Sequence, residues 1–279
     1  MQTPRPVVAM ANLGTRGRFG NKLFQYAFLK LYAKRFGLRT ETSDWIGRYL
    51  FGHNDPFISR AWPVVAEQEQ TRLAQLLSAP KPRFVNVNFD GYFQFDTRHF
   101  APYRPYFQSL FQPVPPIRKE LQTGLERLKE KGRTIVGIHI RRGDYYRYRK
   151  KEKNRVFFIA PSNWYVRWLR SVWGRLDRPV LFLASDSLPE LIADFAEFDP
   201  VVSSGLYERP FPEADYYPDF YLLSHCHLTA ISNSTFSFAA SMLNSDGRLF
   251  VRPDNDVKAL VRYDPWASPP LLHYKRSYY

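Results

Sequence analysis

The sequence predicts an α/β protein built on parallel sheets. Short β-branched runs alternate with amphipathic helical segments along most of the chain, and several of those runs stop abruptly in polar or glycine-rich loops. The most telling run is residues 134–145, T-I-V-G-I-H-I-R-R-G-D-Y. Ile135, Val136, Ile138 and Ile140 read as a strand buried on both faces, and Arg141, Arg142 and Asp144 follow at once. Ligands of open α/β sheets sit just past the carboxyl ends of strands. Two guanidinium groups there suit an anion that can be gripped in a fork. A surface loop with a local Arg–Asp pair is the alternative. Arg142-Gly143-Asp144 also spells a cell-adhesion tripeptide, but it sits where a strand ends.

Composition narrows the classes. The chain has 279 residues, enough for one large domain or two moderate ones. With 44% hydrophobic and 17% aromatic residues it is not disordered. A net charge of +14 favours acidic partners: nucleic acid, an anionic membrane or a phosphorylated substrate. One cysteine, Cys226, excludes an internal disulfide. His225-Cys226-His227 is read on a strand, where neighbours face opposite ways and cannot share a metal. Residues 1–11 are too short an apolar run for a signal peptide. No stretch approaches the roughly 20 apolar residues of a membrane span. A cytoplasmic protein is therefore expected, with peripheral contact to an anionic membrane left open.

Taken in order, residues 6–13 predict a first buried strand, and residues 14–21, G-T-R-G-R-F-G-N, a glycine-rich turn. A helix is expected over 22–36, with Leu23, Ala27 and Leu31 on one stripe and Phe24, Phe28 and Tyr32 beside it, stopped by Gly37. Strand, glycine loop and helix open a nucleotide-binding unit, although this loop matches neither the dinucleotide fingerprint nor the P-loop. A helix is expected over 67–77 and a strand over 84–89, followed by Gly91-Tyr92-Phe93-Gln94. Pro102, Pro105, Pro113, Pro115 and Pro116 set a boundary near 115, giving domains 1–115 and 116–279. The second half repeats the rhythm. It has a helix over 117–131, the central strand, a helix over 163–173, a strand over 179–184 ending in Ser185-Asp186, and a short helix over 188–195. A strand over 228–231 ends in Ser232-Asn233-Ser234-Thr235, where a helix starts that runs through 242. A last strand covers 249–251.

Three strand ends of the second half carry polar groups: Arg141 and Arg142, Asp186, and Ser232 to Thr235. In a parallel sheet these ends share one edge. Arginines and a hydroxyl-lined helix start can take phosphates, and a carboxylate can pair with the N1 and N2 donors of guanine. Together they fit a nucleoside-diphosphate site. Asp186 and Ser234-Thr235 are also readable as helix caps. Asn233-Ser234-Thr235 is a glycosylation sequon, of little weight without a secretion signal. Asp254-Asn255-Asp256, the only D-x-D, follows a proline and reads as a turn, so no metal is expected. Tyr145-Tyr146-Arg147-Tyr148-Arg149-Lys150 is the only run that suits nucleic acid.

Gly20-Asn21-Lys22-Leu23-Phe24-Gln25-Tyr26-Ala27-Phe28 resembles the G-N-Q-M-F-Q-Y-A opening of α-1,2-fucosyltransferases of the bacterial and animal type. Residues 137–145 resemble that family's H-x-R-R-x-D motif, and Gly91-Tyr92-Phe93-Gln94 its G-Y-F-Q segment. Ala184-Ser185-Asp186 resembles its second donor motif, and residues 219–224 and 233–237 its D-x-Y-L-x-S and N-S-S-F-S motifs. The matches fall in the family's order. The resemblance implies a GT-B fold: two Rossmann-like domains with a cleft between them, the first on the acceptor side and the second holding GDP-fucose. It implies inverting transfer of fucose to a sugar hydroxyl, α-1,2 to galactose in a glycan, with no metal, no further cofactor and no nucleic acid. Another linkage or acceptor, or a non-catalytic nucleotide- or nucleic-acid-binding protein, is the rival reading.

Carried over by position, Arg141 holds the β-phosphate and stabilises the departing GDP. His139 meets guanine through its backbone, and Asp186 through its carboxylate. Ser234 and Thr235 bind phosphates, Asn21 reaches toward the fucose or the phosphates, and Gly20, Arg142, Asn233 and Phe236 complete the donor site. Tyr92 and Gln94 fall to the acceptor. Asp144 is the carboxylate nearest the reaction, as a catalytic group or as a brace for one arginine. Lys22 replaces a glutamine of the family, and Phe238-Ala239 stand where many members carry two tryptophans; both departures bear on acceptor and linkage.

Overall fold

The computed structural model describes residues 5–69, 73–148, 156–208 and 211–273. It divides into two compact units, Met1–Val114 with Trp266–Pro269, and Pro115–Pro265 with Pro270–Tyr279. In the first, β1 (Val7–Met10) leads through the glycine-rich turn into α1 (Phe19–Phe36). β2 (Arg39–Thr42), α2 (Gly47–Phe51), β3 (Val64–Ala66), β4 (Val87–Asp90) and α3 (Arg104–Ser109) follow. All four strands are parallel, in the order β2-β1-β4-β3. α1 carries apolar side chains nearly all round, and such a helix must be buried. Leu23, Phe24, Ala27, Phe28, Leu31 and Tyr32 are all closed to solvent. It stops at Gly37, whose left-handed φ of 66° lets its N–H reach the Ala33 carbonyl. Phe28 stacks flat on Phe93 at 4.2 Å and meets Phe89 edge-on at 5.2 Å, so rings glue helix to sheet.

Several elements differ from expectation. α1 starts at Phe19, so Gly20 and Asn21 form its first turn rather than the end of the loop. In place of a helix over 67–77 there are two 3-10 turns, Glu67–Glu69 and Leu73–Leu77. The Glu67 carboxylate is drawn away to the N–H groups of Tyr92 (2.6 Å) and Phe93 (3.1 Å). β2 reads as polar in sequence, yet Glu41 is buried because Ser59 and the Trp62 indole donate to it.

The second unit contains α4 (Pro115–Lys131), β5 (Thr134–Ile140), α5 (Tyr145–Tyr148), α6 (Ser162–Trp173), β6 (Pro179–Ser185) and α7 (Leu188–Leu191). After them come α8 (Tyr217–Leu223), β7 (Leu228–Ala230), α9 (Thr235–Leu243), β8 (Leu249–Asp254) and β9 (Ala259–Arg262). The sheet order is β6-β5-β7-β8-β9, with only β9 antiparallel. β5 is buried along its whole length, and Ile138 and Ile140 share a core with Tyr165, Leu169, Leu183 and Phe195. The helix expected over 188–195 is α7 plus a 3-10 turn, Ile192–Phe198. Asp254-Asn255-Asp256 makes the turn into β9: Asp254 Oδ1 accepts from the N–H groups of Asp256 (2.9 Å) and Val257 (3.1 Å).

His225-Cys226-His227 lies in the turn between α8 and β7, not on a strand. Each group is used locally. His227 Nδ1 accepts from the Ile135 N–H at 2.9 Å, His225 Nδ1 donates to the Tyr221 carbonyl at 2.7 Å, and the Cys226 thiol donates to the Leu222 carbonyl at 3.2 Å. A side chain at Gly137 would strike that thiol, which is why β5 carries glycine there. No helix among the described residues is long and apolar enough to cross a membrane.

Both sheets share one topological device. The chain steps from β1 out to β2 and later returns to the other side of β1 as β4; it steps from β5 out to β6 and returns as β7. The reversal opens a crevice at the carboxyl ends of the two strands that flank it, and α/β sheets bind ligands there.

Candidate functional site

At the carboxyl end of β5, Arg141 is held in a fork between two carboxylates. Its Nη2 donates to Asp144 Oδ1 at 2.7 Å, and its Nη1 pairs with Asp186 Oδ2 at 2.9 Å. Asp186 comes from just past β6, and its other oxygen accepts from the Arg142 backbone N–H at 2.8 Å. Asp186 therefore braces the arginine loop instead of capping α7. Gly143 lies against it, and a β-carbon there would fall on the carboxylate. Asp144 orients Arg141 rather than Arg142. Arg142 turns away: its Nη2 donates to Ser162 Oγ at 2.9 Å, its Nη1 lies 3.4 Å from the Tyr146 hydroxyl, and its buried Nε has no hydrogen-bond partner. A largely buried guanidinium with two anionic partners is fixed in place before any ligand arrives.

α9 starts at the same edge. Ser234 is its N-cap, accepting from the Phe236 N–H at 3.3 Å, and the first-turn amides of a helix carry the positive end of its dipole. Thr235 lies buried in that first turn. The Asn233 side chain is spent on structure: its Nδ2 donates to the carbonyls of Val156 and Leu272, and its Oδ1 accepts from the Leu272 N–H. Buried this way, the sequon asparagine is closed to glycosylation. Tyr145, the first aromatic of the basic run, is also buried and donates to the Asn233 carbonyl at 2.8 Å, so it is no stacking platform. Residues 149–155 of that run lie outside the described residues. His139 props the start of α9, its Nδ1 lying 2.9 Å from Ser237 Oγ and 3.0 Å from Ser232 Oγ. Burial, with the Arg141 charge added, pushes its pKa down to about 3, so the ring is neutral.

Asp219 joins this edge from α8, and only its place in D-F-Y-L-L-S hints at it in the sequence. Burial raises its pKa to about 6 against a hydrogen bond from the Ser203 side chain, and its Oδ1 alone has no hydrogen-bond partner. Its neighbours on the helix, Tyr216 and Phe220, meet Phe236 edge-on at 6.3 and 5.3 Å, and Phe236 leans on His139 at 5.1 Å. Orphaned buried oxygens are rare enough to call for a reason.

In the first unit, Gln94 Nε2 donates to Asn21 Oδ1 at 2.7 Å. Gly17, with φ of 75°, fits where a side chain would strike Asn21 and Tyr92. Gly20 is buried in the first turn of α1. Lys22, the residue that departs from the resembled motif, staples the glycine turn: its Nζ donates to the Gly14 carbonyl at 2.6 Å, and burial lowers its pKa.

Two parallel-sheet units, each gathering polar side chains at its reversal point, define an α/β protein of the ligand-binding kind. Residues 81–261 match the family model of glycosyl transferase family 11. The chain belongs to that family and is a glycosyltransferase. It is similar to galactoside α-(1,2)-fucosyltransferase 1 of Leontocebus fuscicollis, 26% identical over 270 residues that cover 88% of this chain and 70% of that protein. The same protein of Aotus nancymaae is 26% identical over 278 residues, covering 88% and 69%. Among solved structures, NodZ α-1,6-fucosyltransferase soaked with GDP-fucose aligns with a TM-score of 0.60 at 17% identity, over 94% of this chain and 99% of that one. POFUT1 in complex with GDP-fucose aligns at 0.53 and 11% identity, over 90% and 98%. These likenesses establish a shared fold.

Proposed function

We propose that this chain moves fucose from GDP-fucose to a hydroxyl of a galactose-bearing glycan, forming an α-1,2 linkage with inversion. The observation that carries the reading is Arg141, fixed at the reversal point of the second sheet beside the start of α9. The names of the relatives and the ligands of the solved neighbours support donor and linkage. The two units are then the halves of a GT-B enzyme, with the donor on residues 116–279 and the acceptor on residues 1–115.

In this reading the bond between fucose C1 and the β-phosphate oxygen breaks, and the acceptor oxygen bonds C1 from the opposite face. The acceptor hydroxyl gives its proton to water as its oxygen bonds. Negative charge gathers on the departing GDP, where Arg141 and the α9 amides meet it. Ser234 and Thr235 line the phosphates. Asp144 and Asp186 keep the guanidinium aimed. Each oxygen of Asp186 already accepts one donor in that task, and we assign the guanine edge to Asp219, whose Oδ1 has none. Phe236 and the His139 backbone flank the base.

Incubation with GDP-fucose and a β-galactoside tests the reading. GDP release that depends on the galactoside, with a product fucosylated at O2, is expected; release with every sugar except galactosides would overturn it. Gly143→Ala should cost turnover on the order of 100-fold, the scale for shifting a positioning group by about 1 Å, because it displaces Asp186 and with it Arg141. An unchanged rate would show that the brace is dispensable. Turnover should persist in EDTA, since arginine and helix amides supply the positive charge and the D-x-D is a hairpin turn. Activity abolished by EDTA and restored by manganese would contradict that.

A further inference from the structure

The second reversal point, in the first unit, holds a polar cluster built on Asp90, a carboxylate that the donor chemistry does not use. It lies where the chain leaves β1 and β4. Asp90, the last residue of β4, accepts on Oδ1 from both the Asn12 side-chain amide and the Arg16 guanidinium. Those two donors fix the carboxylate and leave its Oδ2 outside these bonds. Arg16 also lies over the Tyr92 ring, 5.1 Å from its centre, and Tyr92 remains 39% exposed. Gln94 and Asn21 close the cluster on the far side of Gly17.

Holding this corner together is costly. Phe93, between Tyr92 and Gln94, sits at φ of 53°, a left-handed conformation unusual for a bulky residue. Asn12 Oδ1 and Gln25 Oε1 are both buried without a hydrogen-bond partner. Three local costs at one crevice mark a place shaped for a ligand rather than for packing. The chemistry selects the ligand. Arg16 is neutralised by Asp90, and the carboxylate disfavours an anion, so the cluster does not suit a second phosphate. A fixed carboxylate oxygen, side-chain amides and an exposed aromatic ring suit a neutral polyol with one apolar face.

We propose that Asp90, aimed by Arg16 and Asn12, and Tyr92 form the subsite that holds the acceptor as a hexopyranoside, by its ring hydroxyls and its apolar face. The inference rests on the glycosyl-transfer reading above, in which Tyr92 already falls to the acceptor, and adds Asp90 with Arg16 and Asn12 as the group that selects it.

Saturation-transfer NMR with methyl β-D-galactopyranoside, and acceptor KM in the transfer assay, test it on the full chain. Ring protons should receive saturation from the unmodified protein, and Asp90→Ala and Tyr92→Ala should lose most of it. Asp90→Ala should raise acceptor KM about tenfold or more, the scale of a lost hydrogen bond to a charged group, with kcat changed less. Asp90→Asn keeps an acceptor oxygen but not the ion pair and should fall between. GDP affinity measured by calorimetry serves as the folding control. A folded Asp90→Ala protein with undiminished sugar signal and unchanged acceptor KM overturns the subsite. If the pyranoside binds in an Asp90-dependent way but GDP-fucose is never consumed, the subsite stands and the transfer reading fails. If fucose is transferred at a rate and acceptor KM indifferent to Asp90, the transfer reading stands and the subsite fails.

Discussion

Arg141→Ala should lower kcat by about 100-fold or more, the scale for losing one preorganised donor aimed at developing charge. GDP affinity should fall less. The diphosphate carries its greatest charge as the bond to fucose breaks, so the arginine contributes more in the transition state than in the ground state. Arg141→Lys should recover little, because an ammonium cannot bridge Asp144 and Asp186 and still present a forked edge to phosphate. Arg142→Lys should be milder, since its side chain reaches Ser162 and Tyr146 rather than either carboxylate. Removing Arg141 leaves two carboxylates facing each other, so the melting temperature without ligand is the necessary control. A folded Arg141→Ala protein with near-normal kcat would refute the role.

Asp219→Asn should weaken GDP binding by about 10- to 100-fold, corresponding to roughly 1–3 kcal/mol for a hydrogen bond to a charged group. Asp186→Asn should instead act chiefly on kcat, because that carboxylate holds Arg141 and the loop. The two variants thus separate base reading from phosphate handling. Acidity adds a second handle. Burial raises the Asp219 pKa to about 6, so below that pH the carboxyl carries a proton and cannot accept two guanine donors. GDP affinity should therefore rise between pH 5 and 7, and the Asp219 share of that rise should vanish in the Asn variant. Without ligand the sign is opposite. The native carboxyl keeps its proton up to about 6 while the unfolded one loses it near 3.8, so its contribution to stability is lost as pH rises through that window. A GDP affinity that Asp219→Asn leaves unchanged would return the base to another residue.

How much of this was legible in the sequence depended on how far apart the partners lie in the chain. β5 could be read from Ile135, Val136, Ile138 and Ile140, and α9 from the hydroxyl cluster before it, because period and caps are local signals. β2 could not, since the burial of Glu41 is made possible by Ser59 and Trp62, some twenty residues on. Arg141 stood out by its position, but which arginine Asp144 would orient was settled only by geometry. Asn233 shows what a motif does not display: its side chain ties down Val156 and Leu272. Asp219 was marked only by its place in D-F-Y-L-L-S, which carries no sign of its burial, and Asp90 by nothing local. One is conspicuous for a missing partner, the other for donors that come from the end of a different strand.

Everything proposed for the donor depends on the crevice beside β5 being a guanine-nucleotide site. Calorimetric titration of the full chain with GDP, UDP and ADP tests this most directly. GDP is expected to bind, and UDP and ADP to bind about tenfold more weakly or worse, the scale of losing a charged hydrogen bond to the base. Equal affinity for the three nucleotides, or none for GDP, would contradict it.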